Sequence, residues 1–130
     1  MALITSFRDL KVYNLAREQA RVIFRISRAF PAEEKYALTS QIRNSSRAVS
    51  AILAEGWARR QYEAAFTNKL NEAMGEAMET QAWLDHALDC AYVSDKQFVE
   101  LDAPWQHIGA MLNKMIERSC DFCATSTKRS

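Results

Sequence analysis

Three sets of residues in this chain have types that could do chemistry: carboxylates and histidines at helical spacing, two close cysteines, and a repeated run of arginines. Glu72, Glu76 and Glu79 recur at steps of four and three, so a helix brings them to one edge. A di-metal carboxylate bundle needs Glu-x-x-His on two helices and a further Glu on each of the others. Here His86 follows Trp83 and His107 follows Pro104 at that spacing, so the motif is absent. The glutamates read instead as a solvated or interface edge. Cys120-x-x-Cys123 has redox spacing but lacks the strand–turn–helix setting that lowers a thiol pKa. With Cys90 as the only other sulfur, a structural zinc site is one ligand short. Ser40, Ser45, Ser46 and Ser50 cluster without a glycine elbow or a paired histidine, and no glycine-rich phosphate loop exists. The expectation is a non-enzymatic protein with no catalytic residue, metal or cofactor. A site built across subunits around Glu55 or Glu79 is the remaining enzymatic alternative.

The arginines point elsewhere. Arg17, Arg21, Arg25 and Arg28 repeat along one side of the first predicted helix, and Arg43, Arg47, Arg59 and Arg60 extend the set. Guanidinium groups bind phosphate through paired hydrogen bonds, so these eight are candidate contacts to RNA or DNA. The net charge of +1 hides an asymmetry: residues 1–61 hold 11 Lys/Arg against 5 Asp/Glu, and residues 62–130 hold 6 against 11. On charge alone the bland reading leads. The arginines would pair with the acidic third helix, or simply be solvated, because the whole chain is almost neutral.

What positions these residues is a small set of long helices. With 130 residues, 48% of them hydrophobic, the chain suits one domain with a sizeable core. Its 3 Gly and 2 Pro are too few for the many turns of a barrel or sandwich. Apolar steps of three and four predict helices over about 8–29, 33–56, 62–91 and 95–122. Short links between them predict an all-α, antiparallel up-down-up-down four-helix bundle. On the first helix one stripe carries Tyr13, Ala16, Ala20, Ile23, Ser27 and Phe30. A second carries Val12, Leu15, Val22 and Ile26. Together they cover roughly 200° at ~100° per residue, about twice what one buried face needs. That excess assigns the second stripe to an oligomer interface. Gly56 reads as a helix terminator and Gly75 as a point of close helix approach. Ser94 and Gln97 form a capping box. Pro104 implies a kink or restart near Asp102. The tail 125–130 is polar and expected to fray. Trp57, Trp83 and Trp105 are assigned to core or interface. No membrane span or secretory signal is visible, and three cysteines without framework spacing suit a reduced, cytoplasmic setting.

Several segments resemble one bacterial family. They are Phe7-Arg8-Asp9-Leu10-Lys11-Val12-Tyr13, Phe30-Pro31 with Glu34, the run Tyr36-Ala37-Leu38-Thr39-Ser40-Gln41-Ile42-Arg43, Ala54-Glu55-Gly56, and Ala73-x-Gly75 followed by Glu79. The chain resembles, from about Ser6 to Ile116, the four-helix-bundle family first noted in intervening sequences of large-subunit ribosomal RNA genes. The accessory variability protein of diversity-generating retroelements is similar. The resemblance implies a homo-oligomer in the form of a pentameric ring. For the retroelement branch it implies binding of nucleic acid and of a reverse transcriptase through a basic surface, to which Arg43, Arg47, Arg59 and Arg60 would contribute. The family's Ser-Ile-Pro-Ala-Asn-Ile segment is replaced here by Ala48-Val49-Ser50-Ala51-Ile52-Leu53.

Overall fold

The computed structural model describes residues 4–123, and its helices follow the apolar steps closely. They are α1 (Lys11–Ser27), α2 (Leu38–Ala58), α3 (Glu63–Asp89) and α4 (Asp95–Glu117). α1 packs on α2, α2 on α3 and α3 on α4, and α4 closes back on α1, with α1–α4 the least extensive of the four seams. Short links between consecutive, mutually packed helices give the antiparallel four-helix bundle. Among the described residues there is no strand, and no described helix is long and apolar enough to cross a membrane. The core runs along the bundle axis through Ile23, Ile42, Leu70, Leu84, Ile108 and Leu112, all fully buried. Each such side chain contributes about 1.5–3 kcal/mol by leaving water.

The helix ends differ from the sequence expectation for identifiable reasons. Residues 7–9 form a separate 3₁₀ turn. Ser6 caps it, and the Asp9 carboxylate accepts from the amides of Thr5 and Ser6 at 3.0 and 3.1 Å. Those two amide bonds hold the Asp9 carboxyl below its usual range. Leu10 is extended and buried, so α1 proper begins at Lys11.

α2 begins at Leu38 rather than near 33, because residues 32–34 form another 3₁₀ turn. Glu34 sets the delay. Its carboxylate accepts from the Leu38 amide at 3.3 Å and from the Tyr92 hydroxyl at 2.8 Å. That second bond pins the α1–α2 link to the α3–α4 link and pushes the Tyr92 phenol up to about 12. α4 stops at Glu117, and a 3₁₀ turn at Ser119–Asp121 follows, where the Ser119 hydroxyl donates to Glu63 at the start of α3. The fraying expected for residues 125–130 lies outside the described residues.

Three further expectations are corrected. Gly56 does not end α2, which continues to Ala58. It is a buried contact point: a Cβ there would sit 3.1 Å from Lys69 Cβ on α3. Gly75, expected to allow a close approach, faces open space, with nothing within 4 Å of where a Cβ would stand. Finally, α4 does not restart at Asp102 but runs through Pro104. The carbonyl that Pro104 leaves unbonded belongs to exposed Glu100, where water can replace the lost donor. The Ser94–Gln97 capping box forms as expected, with both reciprocal bonds present.

One residue of the second apolar stripe of α1 is also reassigned. Val12 is only 3% exposed and belongs to the core. Leu15, Val22 and Ile26 are half-buried and pack against that core. The wide arc is largely used within one chain, because α1 has α2 on one side and α4 on the other.

α3 closes with the left-handed residue expected of a helix C-terminus, but the residue is Ala91 (φ 61°). The amides of Ala91 and Tyr92 reach back to the carbonyls of Leu88 and Ala87, both at 2.9 Å. An alanine in that region costs ~1–2 kcal/mol, and glycine's extra unfolded-state freedom returns ~0.5–1 kcal/mol of that. Ala91→Gly is therefore expected to raise the urea midpoint by the equivalent of roughly 0.5–1 kcal/mol. A lower midpoint would mean that the strain is absent.

Candidate nucleic-acid interface

On α1, Arg17, Arg21, Phe24 and Arg28 follow one another at steps of four, three and four, and so share one sector of the helix. On α2, Arg43, Arg47 and Ser50 do the same. The two helices run antiparallel, so the sectors face across a common seam. Arg17, Ala20, Arg21, Phe24, Arg47 and Ser50 line a groove there of about 240 Å³.

Phe24 is the centre of this surface. It is 37% exposed. The guanidinium carbons of Arg43, Arg47 and Arg28 lie 4.7, 5.4 and 5.8 Å from its ring centroid. All three are within the ~6 Å range of a cation–π contact. Arg43 is held in place by Ser27, whose buried hydroxyl oxygen accepts from Arg43 Nε at 2.8 Å. The same hydroxyl donates to the Phe24 carbonyl at 3.0 Å, so the end of α1 and the start of α2 are tied through one serine.

Of the two fates expected from charge alone, pairing with α3 does not occur, and the arginines are instead largely exposed to solvent. Among the described residues the ion pairs join Lys69 to Glu55 and Glu72, and Arg118 to Asp121. None of the eight arginines has a described carboxylate within ion-pair distance. The reason is positional: α1 packs on α2 and α4 rather than on α3, and Arg43 and Arg47 face the α1 side of α2, toward Ser27 and Phe24, rather than its α3 side. Arg17, Arg21, Arg28, Arg43 and Arg47 thus form a cluster of like charge, partly offset by the Phe24 ring and open to an anionic partner.

The other three stand apart. Arg25 is exposed on α1, and no described hydrogen bond or ring contact brings it to Phe24. Arg59 and Arg60 lie beyond the end of α2, roughly 18 Å along the helix from Arg47. There the Arg60 guanidinium lies 3.6 Å from the Trp57 ring centroid, and its Nε donates to the Trp57 carbonyl at 2.9 Å.

Sequence reasoning misses Phe24 when the basic sector is searched for charge alone. The signal is present: position 24 falls three residues after Arg21 and four before Arg28, so an aromatic sits inside the basic stripe.

The other chemistry-bearing residues are placed as follows. Ser45 and Thr80 share a buried hydrogen bond of 2.8 Å between α2 and α3. Ser46 and Ser50 donate to carbonyls of their own helix. Burial, followed by the nearby charge of Glu63, pushes the Cys123 thiol up, away from the reactive thiolate. His86 stacks loosely on Trp83, with ring centroids 5.6 Å apart. Among the described residues no three His, Cys, Asp or Glu side chains come together as a metal site.

Glu72, Glu76 and Glu79 form the acidic edge of α3. Burial and, second, the charge of Glu79 raise the Glu76 carboxyl above its usual value. A carboxyl raised in the folded state binds its proton more tightly there than in the unfolded chain. Stability therefore falls as pH rises from the unfolded pKa through the folded one. Glu76→Gln is expected to raise the unfolding midpoint at pH 7, and the gain should vanish below the carboxylate range. Thermal melts at the two pH values check this, and an equal gain at both would contradict it.

The family model described as 23S rRNA-intervening sequence protein matches residues 8–114 of the chain. Among solved structures the chain is similar to a protein of unknown function from the S23 ribosomal protein family of Bacteroides thetaiotaomicron. The two share 28% identity with a TM-score of 0.73, over 81% of this chain and 97% of that one. No curated protein matches.

Proposed function

The chain belongs to the 23S rRNA-intervening sequence protein family, and from that premise we propose that it is a non-enzymatic accessory scaffold that engages nucleic acid through the arginine groove between α1 and α2. One observation carries the reading: five arginines from two helices gather around an exposed phenylalanine, with no described carboxylate within ion-pair distance. Like charges held this close repel, and a polyanion relieves the repulsion while releasing its own counterions. Arg59 and Arg60, at the far end of α2, would serve a separate contact. The family resemblance supports a homo-oligomeric, pentameric form, the likeness to retroelement accessory proteins a reverse transcriptase as partner, and the three cysteines without framework spacing a cytoplasmic location.

The test is titration of labelled single-stranded RNA at several salt concentrations with the parent protein and with the Arg21→Glu/Arg47→Glu variant. Salt-sensitive binding lost in the variant supports the reading, and an absence of binding at low salt overturns it.

A second reading is a structural homo-oligomer whose charged faces meet each other. The acidic edge of α3 favours it, because Glu76 and Glu79 crowd one another there and neither has a described ion pair with an arginine. Under this reading the same variant loses assembly in light scattering.

A further inference from the structure

We propose that the α1–α2 groove takes single-stranded nucleic acid, with one unpaired base stacking on Phe24 while Arg17, Arg21 and Arg47 hold the flanking phosphates. This rests on the nucleic-acid reading above and narrows it. A basic surface alone grips the backbone of single and double strands alike. The aromatic ring at its centre makes the difference. Base–aromatic stacking is open to every base but requires the base to be unpaired. Bases inside a duplex already stack on their neighbours, and none can reach Phe24 without leaving its pair.

Two features of the groove fit a single strand. Its volume of about 240 Å³ is below the ~300–1,000 Å³ of sites that enclose a whole small molecule. It has room for one unit of a polymer. Its rim also carries charge on both sides of the ring, with Arg17 and Arg21 on α1 and Arg47 on α2. A base that stacks on Phe24 takes the place of the Arg47 guanidinium, 5.4 Å from the ring centroid, which then turns to the phosphate on one side while Arg17 and Arg21 face the other. A lone exposed phenylalanine is ordinary on a protein surface. This one differs because three arginines are drawn to it, and guanidinium planes themselves stack on bases.

The test uses fluorescence anisotropy with three probes of about 12 nucleotides or base pairs: an oligouridylate, an oligothymidylate and a blunt RNA duplex. Phe24→Leu keeps an apolar side chain and removes the ring, and Phe24→Trp keeps an aromatic ring. Circular dichroism confirms that each variant is folded. Phe24→Leu should weaken the single strands roughly 5- to 100-fold, Phe24→Trp should preserve their binding, and neither should change the duplex. Loss on the oligouridylate alone would assign the site to RNA, and loss on both single strands to either sugar. An equal loss on the duplex would overturn the proposal, since the ring would then serve only to hold the arginines. Unchanged single-strand binding in Phe24→Leu, with loss in Arg21→Glu/Arg47→Glu, would overturn stacking and leave the broader reading standing. No salt-sensitive binding of any probe would overturn both.

Discussion

Replacing Trp105 with alanine is expected to remove about 3–5 kcal/mol of stability, which for a domain of this size lowers Tm by roughly 10–20 °C. Trp105 is 0% exposed and is the largest fully buried side chain. It lies on α4 directly after Pro104, where the helix has already lost one backbone bond, so the cavity would open beside a turn with little to spare. Its indole Nε1 is buried with no described hydrogen-bond partner. A buried unpaired donor costs about 1–3 kcal/mol, and Trp105→Phe removes that donor together with only part of the ring. The phenylalanine variant should therefore lose far less than the alanine variant. Urea and thermal unfolding of the two decide the matter. A small shift in the alanine variant would mean that the α4 packing is not central to the bundle.

Arg21→Glu combined with Arg47→Glu is expected to weaken single-stranded RNA binding by at least ~100-fold at ~50 mM salt. The two residues face the groove from opposite helices, so the variant removes two phosphate contacts and adds two repelling charges. Each charge-assisted bond contributes about 1.5–3 kcal/mol, and ~1.4 kcal/mol is tenfold in affinity. Both side chains are exposed and unfolding should be little affected, since surface substitutions fall within about ±0.5 kcal/mol. Arg25→Glu serves as the comparison. It reverses a charge on the same helix but outside the Phe24 cluster, and its loss should be much smaller. An equal loss would mean that net charge matters and the groove does not. A parallel fall in particle size would favour the subunit-contact reading.

The bundle is legible in the sequence because apolar periodicity depends only on neighbours three and four residues apart. Helix type, order and the Ser94–Gln97 cap all follow from such local spacing. What is not legible depends on residues far apart in the chain. Glu34 delays α2 because it bonds to Tyr92, 58 positions away. Gly56 has the local signature of a terminator, since nothing nearby in sequence says that Lys69 on α3 lies against it. Val12 reads as an interface residue only while the arc of α1 is judged without knowing that α2 and α4 flank it on both sides. At the candidate site the basic stripe of α1 is visible in sequence, and Arg43 and Arg47 join it as the spacing suggests. Of the two fates that charge alone allowed, pairing with α3 fails, because composition by halves carries no information on which side of a helix its charges lie. Phe24 is a different case, since its position in the stripe is there to read.

The most direct test of the arginine groove is the salt dependence of single-stranded RNA binding. Arg17, Arg21 and Arg47 on the phosphates predict a slope of log K against log[salt] near −2, at about −0.7 per neutralised phosphate, which is roughly a 20-fold loss between ~50 and ~200 mM salt. With Arg21 and Arg47 reversed, one remains and the slope should shrink to about −0.7 or closer to zero. A slope near zero in the parent protein, or the same slope in both proteins, would contradict the account.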